Sequence, residues 1–230
     1  LRGASDAEVT SGLDRDSVVQ IAQTAGLARD AKGEPLASPE TIVAANLPIK
    51  GGLPDEEGSV QLRGVGPQAW AVRPQVRIVE GRRFTPGLRE LIVGRGAVRQ
   101  FSGLVPGQQI RLGSQMWTVA GVFASGDALE SEICSDADIV AQTYERGSSR
   151  NSVTVKLADP NGFAAFKTAL EAKNTQREER LLEEGLELLE WLVATETRAG
   201  RFSFTPAGGW ARGEPRPGFD QQPIEAGAMA

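Results

Sequence analysis

The glycine pair that follows an apolar run near the middle of the chain is the feature closest to a ligand-binding motif. Leu91-Ile-Val runs into Gly94 and Gly96, which imitates the strand and Gly-x-Gly turn of a dinucleotide-binding unit. That fingerprint needs a small residue at its sixth position for close packing of helix on strand, and Arg99 stands there. The sequence therefore favours glycines that give the backbone freedom at a strand exit. A nucleotide-dependent oxidoreductase is the weaker alternative.

An acidic stretch between residues 127 and 138 is the second candidate, because clustered carboxylates can bind a divalent cation. Its members are Asp127, Glu130, Glu132, Asp136 and Asp138. An EF-hand loop alternates oxygen ligands and then has a Gly and a distal Glu, and this spacing does not follow that order. We therefore expect a solvated acidic loop. Paired carboxylates for glycoside chemistry depend on a separation in space, which the sequence does not give.

The amino-acid composition excludes most other kinds of catalytic site. The 230 residues include no histidine and one cysteine, Cys134. Without histidine, Ser-His-Asp and Cys-His arrangements and imidazole metal sites cannot form, so an enzyme would depend on carboxylate, Lys, Tyr or cofactor chemistry. One cysteine forms no internal disulfide and no thiolate cage, and we expect it to be a small buried residue. The net charge of −5 argues against a nucleic-acid partner.

The first part of the chain has the pattern of a β-α-β unit. Residues 1–5 resemble the end of a strand, and Ser11 to Asp14 has the form of a helix start, with side chains able to cap free amides. Apolar residues then recur at helical spacing as far as Gly26, a plausible helix stop. Glu40 to Leu47 is predicted to be a strand, and the loop that follows it to Gly58 is expected to be exposed.

From Ser59 onward the apolar period changes to two, which is typical of strands with one solvated face. Three pairs show the alternation: Val60/Leu62, Val76/Ile78 and Ile110/Leu112. Gly113-Ser114 predicts a two-residue hairpin, and one short helix is predicted at 96–102. Trp117 is predicted to lie in the core and Trp70, among turn residues, at the surface.

The last third combines one more strand–helix pair with a different kind of helix. Asn151 to Leu157 alternates as a strand, and Asp159-Pro160 is predicted to open a helix with a buried stripe of Phe163, Phe166 and Leu170. Thr175 to Thr197 is predicted to be a second helix, amphipathic and rich in Leu and Glu. The Gly- and Pro-rich remainder is expected to be a flexible tail.

Five short pieces carry a family resemblance through their order and spacing. They are Leu-Arg-Gly-Val-Gly (62–66), Val-Glu-Gly-Arg-Arg-Phe (79–84), Glu-Leu-Ile-Val-Gly-Arg (90–95), Pro-Gly-Gln-Gln-Ile-Arg-Leu (106–112) and Trp-Thr-Val-Ala-Gly-Val-Phe (117–123). Together they resemble the periplasmic domain of the MacB/FtsX-like permeases of ABC transporters. The resemblance covers roughly residues 1–171, and it implies fixed turns at Gly81 and Gly121 and an anchoring role for Phe84.

The resemblance implies an α+β fold with two lobes. A porter-like α/β lobe of βαβ repeats would comprise residues 1–57 and 145–172, and an inserted β-rich lobe would comprise 58–144. A C-terminal amphipathic helix at 173–200 and a flexible tail at 201–230 would follow. Whether residues 172–230 are native to the family or derive from a truncation or an altered reading frame is left open.

The same resemblance implies a function without catalysis. The chain would be the extracytoplasmic domain of a permease subunit at the periplasmic face of the inner membrane, coupling membrane-helix movement to a periplasmic partner or cargo. Its partners would be a cytoplasmic ABC ATPase and membrane helices outside this sequence, and no catalytic, cofactor-binding or metal-binding residue is expected. The sequence shows no apolar run of about 18 residues and no signal peptide. We therefore expect an excised segment that is soluble by itself.

A soluble interaction module that acts through the C-terminal helix is the main alternative function. That helix carries seven bulky apolar residues, namely Leu181, Leu182, Leu186, Leu188, Leu189, Leu192 and Val193. Their exposure to water would be unfavourable. We expect them to pack on the α/β lobe of the same chain or, in a homodimer, on the same helix of a second copy.

Overall fold

A computed structural model of the chain describes residues 8–53, 55–198 and 201–202. The strand expected at residues 1–5 lies outside the described residues, as does the tail expected at 201–230 apart from residues 201–202. The chain divides into two compact units, Leu1–Glu171 and Ala172–Ala230. No helix of the described residues is long and apolar enough to cross a membrane.

The described part of the first unit contains eight strands and several short helices. The strands are β1 (Ala37–Pro48), β2 (Glu57–Val65), β3 (Arg77–Gly81), β4 (Glu90–Gly94), β5 (Gln109–Leu112), β6 (Gln115–Ala124), β7 (Ile133–Asp136) and β8 (Ser152–Val155). The helices are α1 (Arg15–Ala22), α2 (Ala69–Val72), α3 (Arg95–Gln100), α4 (Ala137–Thr143) and a 3-10 turn (Ala128–Ser131). Helix α5 (Phe163–Glu196) begins in this unit and continues into the second.

One mixed sheet organises the first unit. Its strand order is β3-β6-β4-β7-β2-β1-β8, with β5 paired to β6. The β2–β7 and β4–β6 pairs are parallel and the others are antiparallel. The mixed sheet with its helices confirms the predicted α+β class. The division into two lobes stays a prediction, and the sheet contains strands from the chain segments of both.

The sheet is buried on both faces at its centre. Along β4, Leu91 and Val93 belong to one apolar cluster and Ile92 to another, as alternation along a covered strand requires. The larger cluster includes Trp117, which is fully buried as predicted. Cys134 is buried in the smaller cluster. Burial raises the pKa of its thiol, which keeps the thiol neutral.

Long strand β1 joins the edge strand β8 to the rest of the sheet. Its first residues pair with β8, from Ala37 to Glu40, and its remainder pairs with β2, from Thr41 to Pro48. Side-chain capping by Asp14, which accepts from the Ser17 amide at 2.7 Å, starts α1 where the sequence predicts it. The predicted hairpin at Gly113-Ser114 is also present, between β5 and β6.

Three local predictions are wrong. The acidic stretch is not a loop, because β7 lies within it and pairs with both β2 and β4. The two predicted C-terminal helices are one helix, α5, which begins at Phe163 rather than beside Pro160. Phe163 is exposed, and of the predicted stripe only Phe166 and Leu170 are buried. Trp70, expected at the surface, is partly buried and packs against the smaller apolar cluster.

The described part of the second unit consists of the remainder of α5 and a short hairpin. Strand β9 (Thr197–Arg198) pairs with β10 (Arg201–Phe202). Six of the seven bulky apolar residues of the helix are between 45% and 64% exposed: Leu181, Leu182, Leu186, Leu188, Leu189 and Val193. Their burial on the α/β lobe or on the same helix of a second copy remains a prediction.

Candidate functional site: a buried ion-pair network

The guanidinium of Arg63, a residue of β2, lies at the centre of a network of charged side chains. Its Nε and Nη2 donate to the two carboxylate oxygens of Glu132, at 2.5 and 2.9 Å. Its Nη1 also donates to Glu40, at 2.9 Å, and to Glu8, at 3.0 Å. Arg63 therefore uses its planar fork to hold carboxylates from three distant parts of the chain.

A second arginine completes the network. Arg73, which follows α2, donates from Nη1 and Nη2 to the two carboxylate oxygens of Glu40, at 2.6 and 2.9 Å. Its Nη2 also donates to the hydroxyl of Thr154 on β8, at 2.8 Å. The Glu40 carboxylate is thus shared between two guanidiniums, and both of its oxygens are satisfied.

Burial makes these contacts energetically important. Arg63 is 7% exposed and Glu40 is completely buried. Burial works against the charge of Arg63, but the hydrogen bonds and charges of its glutamates outweigh that effect and raise the pKa of Arg63 above its usual value. Burial likewise opposes the charge of Glu8, yet Arg63 keeps the pKa of Glu8 below its usual value. Arg63 and Glu8 are therefore held in their charged forms, as burial beside opposite charges requires.

The network joins chain segments that belong to different lobes in the division implied by the family resemblance. Glu8, Glu40 and Thr154 come from the predicted α/β lobe, and Arg63, Arg73 and Glu132 from the predicted β-rich lobe. The Ser152 hydroxyl adds a hydrogen bond to Glu8, at 3.0 Å. Long-range ion pairs therefore reinforce the β1–β2 pairing that already joins these segments.

Asn151 fixes the N-terminal segment beside this network. Its Oδ1 accepts from the buried amide of Ile42 in β1, at 2.8 Å. Its Nδ2 donates to the carbonyl oxygens of Val9 and Ser11, at 2.8 and 3.1 Å. One buried side chain thus satisfies three backbone groups and positions the segment that contains Glu8.

The glycine pair that imitated a nucleotide motif serves close packing instead. A Cβ on Gly94 would lie 2.1 Å from the carbonyl oxygen of Glu130, and one on Gly96 would lie 2.7 Å from the same oxygen. Neither glycine has a positive φ, so the predicted reason, backbone freedom, is wrong. The 3-10 turn covers the position that a bound pyrophosphate would need at this strand exit.

The five acidic residues of the 127–138 stretch have separate structural roles. Asp127 and Asp136 cap the 3-10 turn and α4, while Glu130 accepts from the amides of Ser125 and Gly126. The other two pair with arginines, Glu132 with Arg63 and Asp138 with Arg150. Among the described residues, no group of three or more His, Cys, Asp or Glu side chains could hold a metal ion.

The Gly81 to Phe84 segment partly matches its predicted role. Gly81 is the last residue of β3 and has a φ of +71°, which favours glycine. Gly121, in contrast, lies within β6, where a Cβ would be 2.3 Å from the carbonyl oxygen of Arg82. Phe84 is buried against Trp70, with ring centroids 5.9 Å apart, and anchors the loop as predicted.

A surface ion pair holds the same loop. Arg82 donates from two nitrogens to the carboxylate of Glu90, at 2.6 and 2.7 Å, and the Thr85 amide donates to it at 2.8 Å. These contacts lower the pKa of Glu90 to about 2. The loop between β3 and β4 is therefore fixed at the start of the strand that Glu90 begins.

The buried network cannot be predicted from local sequence patterns. Glu40, Arg63 and Arg73 match no motif, because ion pairs between residues 23 to 69 positions apart leave no local pattern. The only available signal was the presence of charged residues inside strands that otherwise read as apolar. In chemical terms, the network is a structural clamp, since each arginine engages carboxylates and the hydroxyls of Thr154 and Ser152 serve as hydrogen-bond partners of its charged groups.

Comparison with known proteins gives this fold its relatives. The sequence profile of the MacB-like periplasmic core domain matches residues 4–173. A search of curated proteins found no significant match. One similar solved structure is the extracellular domain of the noncanonical ABC-type transporter YknZ from Gram-positive bacteria, with 13% identity and a TM-score of 0.55 over 76% of this chain and 90% of that one. Another is the periplasmic region of MacB from Actinobacillus actinomycetemcomitans, with 16% identity and a TM-score of 0.52 over 77% of this chain and 84% of that one.

At these identities the solved structures show a shared fold, while the profile match extends over well more than half of the chain. The mixed sheet and its helices are therefore those expected from the sequence resemblance. The chain belongs to the family of the MacB-like periplasmic core domain, the periplasmic domain of MacB-like ABC-transporter permeases.

Proposed function

We propose that this domain couples movement of the membrane helices of its permease to a partner protein or cargo outside the membrane, without catalysing a reaction itself. In the complete system, a cytoplasmic ABC ATPase supplies the energy and membrane helices outside this sequence supply the movement. The domain works at the periplasmic face of the inner membrane. Because its proposed role is to transmit movement, the contacts between its chain segments must resist deformation.

The ion-pair network is the observation that carries the proposal. A displacement of the N-terminal segment at Glu8 passes through Arg63 to β2 and through Glu132 to the start of β7. Both strands lie in the interior of the sheet. Because breaking a buried ion pair is costly, these contacts favour movement of the segments as one body.

Packing at the glycine pair supports the absence of a nucleotide-dependent activity. The backbone of Glu130 lies where a phosphate group would have to approach Gly94 and Gly96. The 127–138 carboxylates already interact with backbone amides and arginines, and these contacts similarly favour structural roles over cation binding. These two observations favour the transport proposal over a nucleotide-dependent oxidoreductase.

The test of this function uses the permease with its natural flanking sequence, co-expressed with the ATPase encoded beside it and purified from membranes. We expect the ATPase to co-purify and to hydrolyse ATP. We also expect calorimetry of the 230-residue chain to show no binding of NAD, NADP or ATP at micromolar concentration. Micromolar binding of any of these nucleotides by the chain, or flanking sequence without membrane helices, would contradict the proposal.

A further inference from the structure

The second half of α5 presents an apolar face on a strongly acidic helix. Residues 178–196 contain seven Glu, one Arg and no Lys, whereas the whole chain has a net charge of only −5. Within this segment the apolar side chains recur at Leu182, Leu186, Leu189 and Val193, all about half exposed or more. These spacings of four, three and four residues are those of the a and d positions of a coiled-coil seam.

Adjacent side chains widen this seam. Leu181 and Leu188 are also exposed and lie next to it on the helix surface. Gly185 lies between these two rows, and a Cβ at that position would meet nothing within 4 Å. A glycine in a helix interior is less favourable than Ala, and here it leaves space for close approach of another chain. We call this face, formed by Leu181, Leu182, Gly185, Leu186, Leu188, Leu189 and Val193, the acidic docking face.

A second copy of the same helix fits this face poorly on electrostatic grounds. With Leu186 and Val193 at a and Leu182 and Leu189 at d, Glu183 and Glu190 occupy e positions and Glu178 occupies a g position. In an antiparallel pair, Glu183 would face Glu190 of the other copy. In a parallel pair, Glu178 would face Glu183 of the other copy. Either orientation places like charges at the flanks that normally set the choice of partner.

We propose that the acidic docking face binds a basic amphipathic helix of another protein. Such a partner would bury the leucine seam and would place Lys or Arg beside Glu178, Glu183 and Glu190, where a second copy would place Glu. The two features that the face combines, a coiled-coil seam and flanks of one charge, are those of helix-to-helix recognition with a chosen partner. The inference concerns α5 alone and does not depend on the proposed coupling function.

The test measures binding of two fluorescent peptides to the full chain. The probe copies residues 178–196 with every Glu replaced by Lys, and its control is the unaltered acidic copy. We expect the Lys peptide to bind at least tenfold more tightly than the acidic peptide. Its affinity should fall several-fold when NaCl is raised from 50 to 500 mM, because the flanking charges are solvent-exposed and screened.

Variants of the chain show where the probe binds. Leu186→Ser with Leu189→Ser should weaken binding of the Lys peptide at least tenfold. The matched control, Leu53→Ser with Leu88→Ser, removes two exposed leucines of the first unit and should leave the affinity unchanged. Absence of binding, equal loss in both variants, or a chain dimer that the acidic peptide dissociates would overturn the proposal.

Discussion

Arg63→Met is expected to lower the free energy of unfolding by about 3–5 kcal/mol, the usual cost of removing one partner from a buried ion pair. Met approximates the length of the aliphatic stem of Arg63, so the loss comes mainly from the stranded carboxylates of Glu132 and Glu40. Urea denaturation followed by tryptophan fluorescence, to which buried Trp117 contributes, measures the change. Arg111→Met, at an exposed position of β5, is the control and should change stability by less than about 0.5 kcal/mol.

A double substitution separates charge from packing. Adding Glu132→Gln to Arg63→Met removes one of the stranded carboxylates, so part of the lost stability should return. A loss below about 1 kcal/mol for Arg63→Met is typical of an exposed ion pair. It would show that the network does not hold the chain segments together. A double variant no more stable than Arg63→Met would show that packing, rather than stranded charge, accounts for the loss.

Asn151→Ala is expected to cost about 2–3 kcal/mol, because it leaves the buried Ile42 amide without its acceptor and releases the carbonyl groups of Val9 and Ser11. Hydrogen exchange at the Ile42 amide should accelerate by more than the change in global stability explains. The control, Asn161→Ala, alters an exposed asparagine and should have little effect.

Asn151→Asp provides a sharper comparison at the same position. Aspartate keeps an acceptor for the Ile42 amide but cannot donate to Val9 and Ser11. We therefore expect the Ile42 amide to keep more of its exchange protection in this variant than in Asn151→Ala, while global stability falls in both. Equal exchange rates at Ile42 in the two variants would contradict the role assigned to the Oδ1 contact.

Elements specified by local chemistry could be predicted from the sequence. Asp14 caps α1, Gly113 turns the β5–β6 hairpin, and the alternation of Ile110 and Leu112 marks β5, because each feature depends on residues within a few positions of one another. The family resemblance added the fold class. Trp117 was predictable as a core residue because it lies in an apolar strand.

Features specified by distant contacts could not be predicted. Strand β7 is short, and only Ile133 and Cys134 stand apolar among carboxylates, so its pairing with β2 and β4 leaves no clear local pattern. The close packing of the Glu130 backbone against Gly94 likewise arises only in the assembled sheet. The Arg63 network depends on partners that only the fold brings together.

The most direct test of the central claim measures distances by pulsed electron resonance in the intact permease with its ATPase. Spin labels at Asp16→Cys and Arg111→Cys mark exposed positions of the two predicted lobes, and buried Cys134 should resist labelling. If the network makes the domain one body, the distance between these labels stays the same in the nucleotide-free and ATP-trapped states. In the same permease, the distance from the Arg111→Cys label to a label on the ATPase changes between the two states. A shift of several ångströms within the domain, or no movement of the domain relative to the ATPase, would contradict coupling through a rigid domain.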